Sequence, residues 1–379
     1  VNRRELLGGA AALALGCRRR PDPPSAERWL AASGEERDAL VARWCAEAGA
    51  PATARALALA ALARCPSEAV DPSGTASHAL LGLAGAARLA ARAPELGPAA
   101  VRQAAAFTSG EVDASPYFAG AWFLPDAGPD PGGALDTWVA RGDVGAADAW
   151  AAARGRGALP ALAALAFDGL GHLGHRALFV QAAADLGADA LVRAAARHLA
   201  STPLGREPPG GGPLATELAS AGHGGAWLLD RAVGLLHHAA RADAATAHVV
   251  TFTAAAVAVA DHLPEPAAGL SRAADWLDRV ALGDSELGPW RDDRAVAPVA
   301  GDLAGLAAAV DAADEDAAAA RAAGLDDPRG WAWLAARAVA VGEVTLQHAP
   351  KLAAVVPDSP EGRAVLARLV AWATVPGSR

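Results

Sequence analysis

An all-α fold, a multi-helix bundle of short antiparallel helix pairs, is what this 379-residue sequence predicts, and three observations carry the prediction. Alanine and leucine, the strongest intrinsic helix formers, dominate a composition that is 53% hydrophobic. Strand-forming runs are nearly absent, with no isoleucine, one tyrosine and 5% aromatic residues. Apolar positions recur at three- and four-residue spacing between glycines and prolines, the period of helices packed on one face. Lys351 is the only lysine and Asn2 the only asparagine, which together with the missing isoleucine reads as the codon bias of a GC-rich genome. A solenoid-like stack of helix pairs is the alternative arrangement, although no repeat of fixed period is found.

Residues 1–17 resemble a twin-arginine signal peptide. Arg3-Arg4 precede the apolar stretch Leu6 to Leu15, which ends in Gly16-Cys17. That stretch is too short for the ~20 residues a membrane-spanning helix needs. Ala14-Leu15-Gly16-Cys17 approximates a lipoprotein cleavage box, so the expected location is outside the cytoplasm, either periplasmic or as a membrane-anchored lipoprotein held at Cys17. Residues 18–32, opening with Arg18-Arg19-Arg20-Pro21-Asp22-Pro23-Pro24, read as a linker, and 33–379 as the all-helical domain. The twin-arginine route carries folded proteins and favours those that load a cofactor before export.

Ser33-Gly34-Glu35-Glu36 is a capping-box start for a helix over 35–48, and Gly49-Ala50-Pro51 turns the chain into a second over 52–64. In such a hairpin Cys45 and Cys65 stand about 20 Å apart, well past the ~7 Å Cα separation a disulfide tolerates, so buried free thiols are expected. Further helices are predicted over 76–92, 98–108, 143–153, 159–168, 172–187, 189–200, 222–240, 245–262, 267–281, 298–309, 311–323, 328–341, 344–355 and 360–373. Two stretches interrupt the pattern. Gly110 to Gly133 crowds Tyr117, Phe118, Trp122 and Phe123 between prolines, as a cover over a pocket or as packing on the core. Thr202 to Pro213, with Pro208-Pro209-Gly210-Gly211-Gly212, is the expected seam between two lobes.

Composition removes some functions. The formal charge is -9 and no basic stripe follows the N-terminus, so nucleic acid is not an expected partner. No G-x-S-x-G elbow, Walker loop, H-E-x-x-H or C-x-x-C occurs. Gly169-Leu170-Gly171-His172-Leu173-Gly174 matches the dinucleotide fingerprint in letters only, because the preceding Leu159 to Phe167 has no β-branched residue and reads as helix rather than strand.

The sharpest chemical signal lies in the placement of histidines, of which there are ten. His78 opens Ala79-Leu80-Leu81-Gly82-Leu83, His172 and His175 lie in Gly171-His172-Leu173-Gly174-His175-Arg176-Ala177-Leu178, and His248 opens Val249-Val250-Thr251. An imidazole heading a buried helix must find a hydrogen-bond partner or bind something. Spacing of three puts His172 and His175 on one helical face. Neutral imidazole suits a transition metal such as Fe, Cu or Zn, and His78, His175 and His248 are the expected ligands or acid/base groups. Thr251 and His172 are expected to help orient them. The alternative for each is a core histidine bonded to a main-chain carbonyl. His198, His223, His237, His238, His262 and His348 fit surface or capping roles, and Asp168, Asp185, Glu217 and Glu111 are the candidate carboxylates.

The three blocks Ser77-His78-Ala79-Leu80-Leu81-Gly82-Leu83, Gly171 to Leu178 and Ala247-His248-Val249-Val250-Thr251 resemble the questin oxidase-like family over scattered pieces of residues 70–265. The resemblance implies oxygen-dependent oxidation of aromatic polyketide-like substrates with a reduced nicotinamide as electron donor. Such donors are scarce outside the cytoplasm, so a bound redox metal has more to explain here. The sequence therefore reads as an exported oxidoreductase acting on a small aromatic ligand at a buried histidine site, its membrane contact limited to the signal peptide or a lipid at Cys17. The alternative is a non-catalytic helical binding or scaffold lipoprotein.

Overall fold

In the computed structural model, residues 23–62, 78–114, 126–167, 174–202, 211–239, 243–281, 296–341 and 348–375 are described. Ala-rich segments closed by Ser, Asp and Gly caps give α1 (Ala26–Ala31), α2 (Gly34–Glu47), α3 (Ala50–Leu62), α4 (His78–Arg92) and α5 (Gly97–Ala114). They continue as α6 (Leu135–Ala140), α7 (Val144–Arg154), α8 (Leu159–Ala166), α9 (His175–Leu186), α10 (Asp189–Ser201), α11 (Pro213–Ala221) and α12 (Gly225–His237). The last are α13 (Ala244–Ala260), α14 (Pro266–Ala281), α15 (Leu303–Asp311), α16 (Glu315–Ala323), α17 (Gly330–Ala340), α18 (His348–Val355) and α19 (Pro360–Ala373). A short 3-10 turn, Gly155–Ala158, joins α7 to α8. The all-α prediction holds: no strand is present among the described residues.

Local chemistry sets the ends. The Ser33 N–H donates to Glu36 Oε2 at 2.8 Å, the capping box read from the sequence. Asp243 and Thr246 form a second box at the start of α13, each side chain accepting from the other's backbone N–H at 2.9 Å. Asp302 and Asp314 accept from Gly305 N and Ala317 N at the starts of α15 and α16, which moves those helices several residues past the expected 298 and 311. Gly222, at φ 64°, ends α11, so the helix expected from 222 begins only at Gly225.

Three helices were not expected. α1 lies inside the supposed linker 18–32. Ser25 caps it, its Trp29 is fully buried, and the Arg37 guanidinium sits 4.8 Å over that ring, so the packed body starts before residue 33. α6 is two turns long, too short for periodicity to reveal. α11 follows the glycine run; Pro213 occupies its first turn, and Asp275 and Asp278 on α14 accept from the backbone N–H groups of Gly212 and Leu214 at 3.1 and 3.0 Å.

Most of the expected seam at 202–213 lies outside the described residues. One apolar cluster runs from Trp29 to Ala371 and holds Leu199 and Leu218, on either side of that stretch. Its centre is a closed group of four helices in which α4 packs on α9, α9 on α13, α13 on α18 and α18 on α4. Contacts between helices so distant in the chain decide against a solenoid, where each unit touches only its neighbours. Cys45 is a buried free thiol, its pKa raised by burial, as expected. Cys65, the signal segment 1–17, most of the aromatic loop around Tyr117 and Trp122, His172 and Asp168 lie outside the described residues. No described helix is long and apolar enough to cross a membrane.

Candidate metal centre

The central four-helix group brings together what the sequence kept far apart. His78 and His175 are the first residues of α4 and α9, and His248 lies in the second turn of α13. His175 and His248 are 2% and 3% exposed, and His78 is half-buried. One potential ligand atom from each of the three falls within 4.8 Å of the others, and no other such group of His, Cys, Asp and Glu occurs among the described residues.

Geometry separates this cluster from ordinary stacking. His175 Nε2 stands 3.4 Å from His78 Nε2, and the rings meet edge to face at 87° with centroids 5.2 Å apart. The His248 ring is 5.0 Å from that of His175 at an angle of 65°. At 3.4 Å an N–H to N contact is longer than a normal hydrogen bond. It is, however, the length of a tetrahedron's edge: two nitrogens each ~2.05 Å from a metal at the tetrahedral angle stand about 3.3 Å apart.

Backbone geometry holds the pair of helices this close. Gly174 caps α9 at φ 77°, a conformation other residues adopt only with strain, and a Cβ there would stand 2.5 Å from Phe252 Cδ2 on α13. Absence of a side chain at 174 therefore lets α9 close on α13, which sets His175 against His248.

The same helices continue into a small cavity of about 20 Å³, lined by Leu81, Leu178, Thr251 and Lys351 among others. Leu81, Leu178 and Thr251 each lie three residues beyond His78, His175 and His248, so the cavity begins roughly one turn, about 4.5 Å, from the imidazoles along each axis. A volume of that order holds one or two waters. Arg88, Gln181 and Asp185 line its other end, with Asp185 on Arg88 as an ion pair. The Thr251 hydroxyl, expected to orient an imidazole, donates to the Ala247 carbonyl at 3.3 Å and lines the cavity wall.

Other candidates resolve into packing. His198 is fully buried and stacks on Phe179 at 4.0 Å, a core position where a helix-end role was expected. His223 stacks on Trp227 at 4.6 Å. The His237 imidazole has its pKa lowered by burial first, with His238 and Arg368 adding to the effect. Glu217 pairs with Arg231 at the surface, and Asp185 is taken by Arg88. The Glu111 side chain lies outside the described residues. Lys351 also lines the cavity, and its being the single lysine is the sequence signal that sets it apart.

Comparison of the chain with protein-family models, with curated proteins and with solved structures finds no match in any of the three.

Proposed function

We propose that this chain is a metal-dependent oxidoreductase whose transition metal is held by the imidazoles of His78, His175 and His248. One observation carries the reading: nitrogen donors from three different helices lie within 4.8 Å of one another, two of them at 3.4 Å, the edge of a tetrahedral site. Three neutral imidazoles leave one position of such a site for water or substrate, and the set suits Zn, Cu or Fe. A metal bound there would supply a Lewis acid or a redox couple. The chain's own part is to hold the three rings in place, through the close approach of α9 and α13 at Gly174. Resemblance of the three histidine-headed blocks to the questin oxidase-like family inclines the reading to oxidation by dioxygen over hydrolysis. The twin-arginine pattern adds that this work is done after export, by a protein free in the periplasm or anchored at Cys17.

Titration of the metal-stripped full chain with Co2+ tests the centre. One equivalent giving the intense visible bands of a tetrahedral ion is expected, with affinity reduced at least about 100-fold in His175→Ala. Dioxygen uptake by the copper- or iron-loaded protein supplied with ascorbate as electron donor and a small phenol as substrate tests the oxidative part, and metal bound without uptake above that of the free ion would refute it. The small cavity favours one competing reading, a non-catalytic scaffold. That reading wins if no ion binds stoichiometrically and a His78→Ala/His175→Ala variant melts like the wild type.

A further inference from the structure

Lys351 is the single lysine among 33 Lys and Arg residues. Everywhere else the chain uses arginine, which keeps its proton under all ordinary conditions; lysine can lose it. The residue stands on α18 in the wall of the cavity beside the histidines, 6% exposed, and its Nζ has no hydrogen-bond partner among the described residues. Asp185 is the carboxylate in that wall, and Arg88 already holds it through two N–H groups, one at 3.0 Å, while the Gln181 amide oxygen also turns to Arg88. Among the described residues no countercharge is left for an ammonium. The lysine stem occupies space that Gly85 on α4 leaves open, since a Cβ at 85 would lie 2.5 Å from Lys351 Cγ. Burial alone lowers the pKa of this amine to about 7.

We propose that Lys351 is a nucleophile that captures a small aldehyde or ketone as an imine in this cavity. The Nζ lone pair attacks the carbonyl carbon to form a C–N bond, the carbonyl π pair moves to oxygen, and a nitrogen proton passes to that oxygen. The carbinolamine then expels the oxygen as water, taking the second nitrogen proton, and the C=N bond forms. Amine and carbonyl become imine and water with no change of oxidation state. The neutral imine suits a wall without a free anion, and the narrow, partly open cavity of about 20 Å³ favours a small carbonyl compound. The proposal holds with or without a metal on His78, His175 and His248.

Reductive trapping tests it. The metal-stripped full chain is incubated at pH 7 with glycolaldehyde and cyanoborohydride, and adducts are mapped by peptide mass. With a pKa near 7 about half of the amine is free at that pH, about 10³-fold more than for an exposed lysine. The expected result is one adduct on Lys351 forming at least tenfold faster than on a lysine peptide, its loss in Lys351→Met, and slowing in Gly85→Ala, where the stem is displaced. Circular dichroism establishes that both variants fold, and trapping on the wild type decides the matter alone if either does not. An adduct confined to the chain's α-amino group, or one on Lys351 that forms only in denaturant, would overturn the proposal.

Discussion

Replacing Lys351 by methionine is expected to stabilise the protein near neutral pH, because methionine fills the same volume without an amine to desolvate. The magnitude follows from the environment. An ordinary lysine holds its proton to about pH 10.5, whereas burial brings the folded-state value to about 7. Between those limits the unfolded chain binds one proton that the native chain does not, so native stability falls by about 1.4 kcal/mol for each unit of decreasing pH. The penalty starts near pH 10.5, reaches at most about 5 kcal/mol at pH 7, and stays constant below that, where both states are protonated. Urea denaturation of wild type and Lys351→Met at pH 6, 7, 8.5 and 10 reads the difference directly. The gap in favour of the variant should be widest at pH 6 and 7 and shrink steadily toward pH 10. Parallel curves across that range would mean that the ammonium finds a partner in the folded state, and the reasoning about a countercharge-free amine would be wrong.

Three other outcomes are expected. Gly174→Ala forces a left-handed alanine against Phe252, a loss of about 2–5 kcal/mol measurable as a lower melting temperature, and the same change separates His175 from His248 and weakens Co2+ binding. Trp29→Ala removes a fully buried ring and should lower stability by about 3–5 kcal/mol in urea titration; a change under ~0.5 kcal/mol would return α1 to the status of a tether. Cys45 should resist alkylation at pH 8 in the native protein and react promptly in denaturant, followed by mass mapping of its peptide, because burial both shields the thiol and raises its pKa.

Much of this arrangement is written plainly in the amino acids. Helix content followed from alanine and leucine, and the capping box at Ser33 and Glu36 was readable as letters because its chemistry is local. The meeting of His78, His175 and His248 was foreseen for a physical reason: an imidazole set at the head of a run of buried apolar residues needs a partner, and three such heads can serve one another. What escaped notice depended on tertiary context. Upstream prolines made α1 look like a tether, since six residues carry too little periodicity to reveal that Trp29 points inward. In the sequence Lys351 looks like codon drift, for nothing in its neighbours along the chain announces that α18 closes over Gly85. The bond from Thr251 to Ala247 was equally invisible, because a hydroxyl in a helix has its own preceding turn as a competing acceptor.

The closed ring of α4, α9, α13 and α18 also bears on the order of events at the ribosome. Domains acquire structure from the N-terminus as synthesis proceeds, yet the fourth wall here, α18, is made well after the other three. Until that last segment docks, the imidazoles of the earlier three helices face an unfinished chamber open to solvent. Completion of the interior therefore waits for α18, and a nascent chain halted before it would carry all three histidines and still lack the compartment that encloses them.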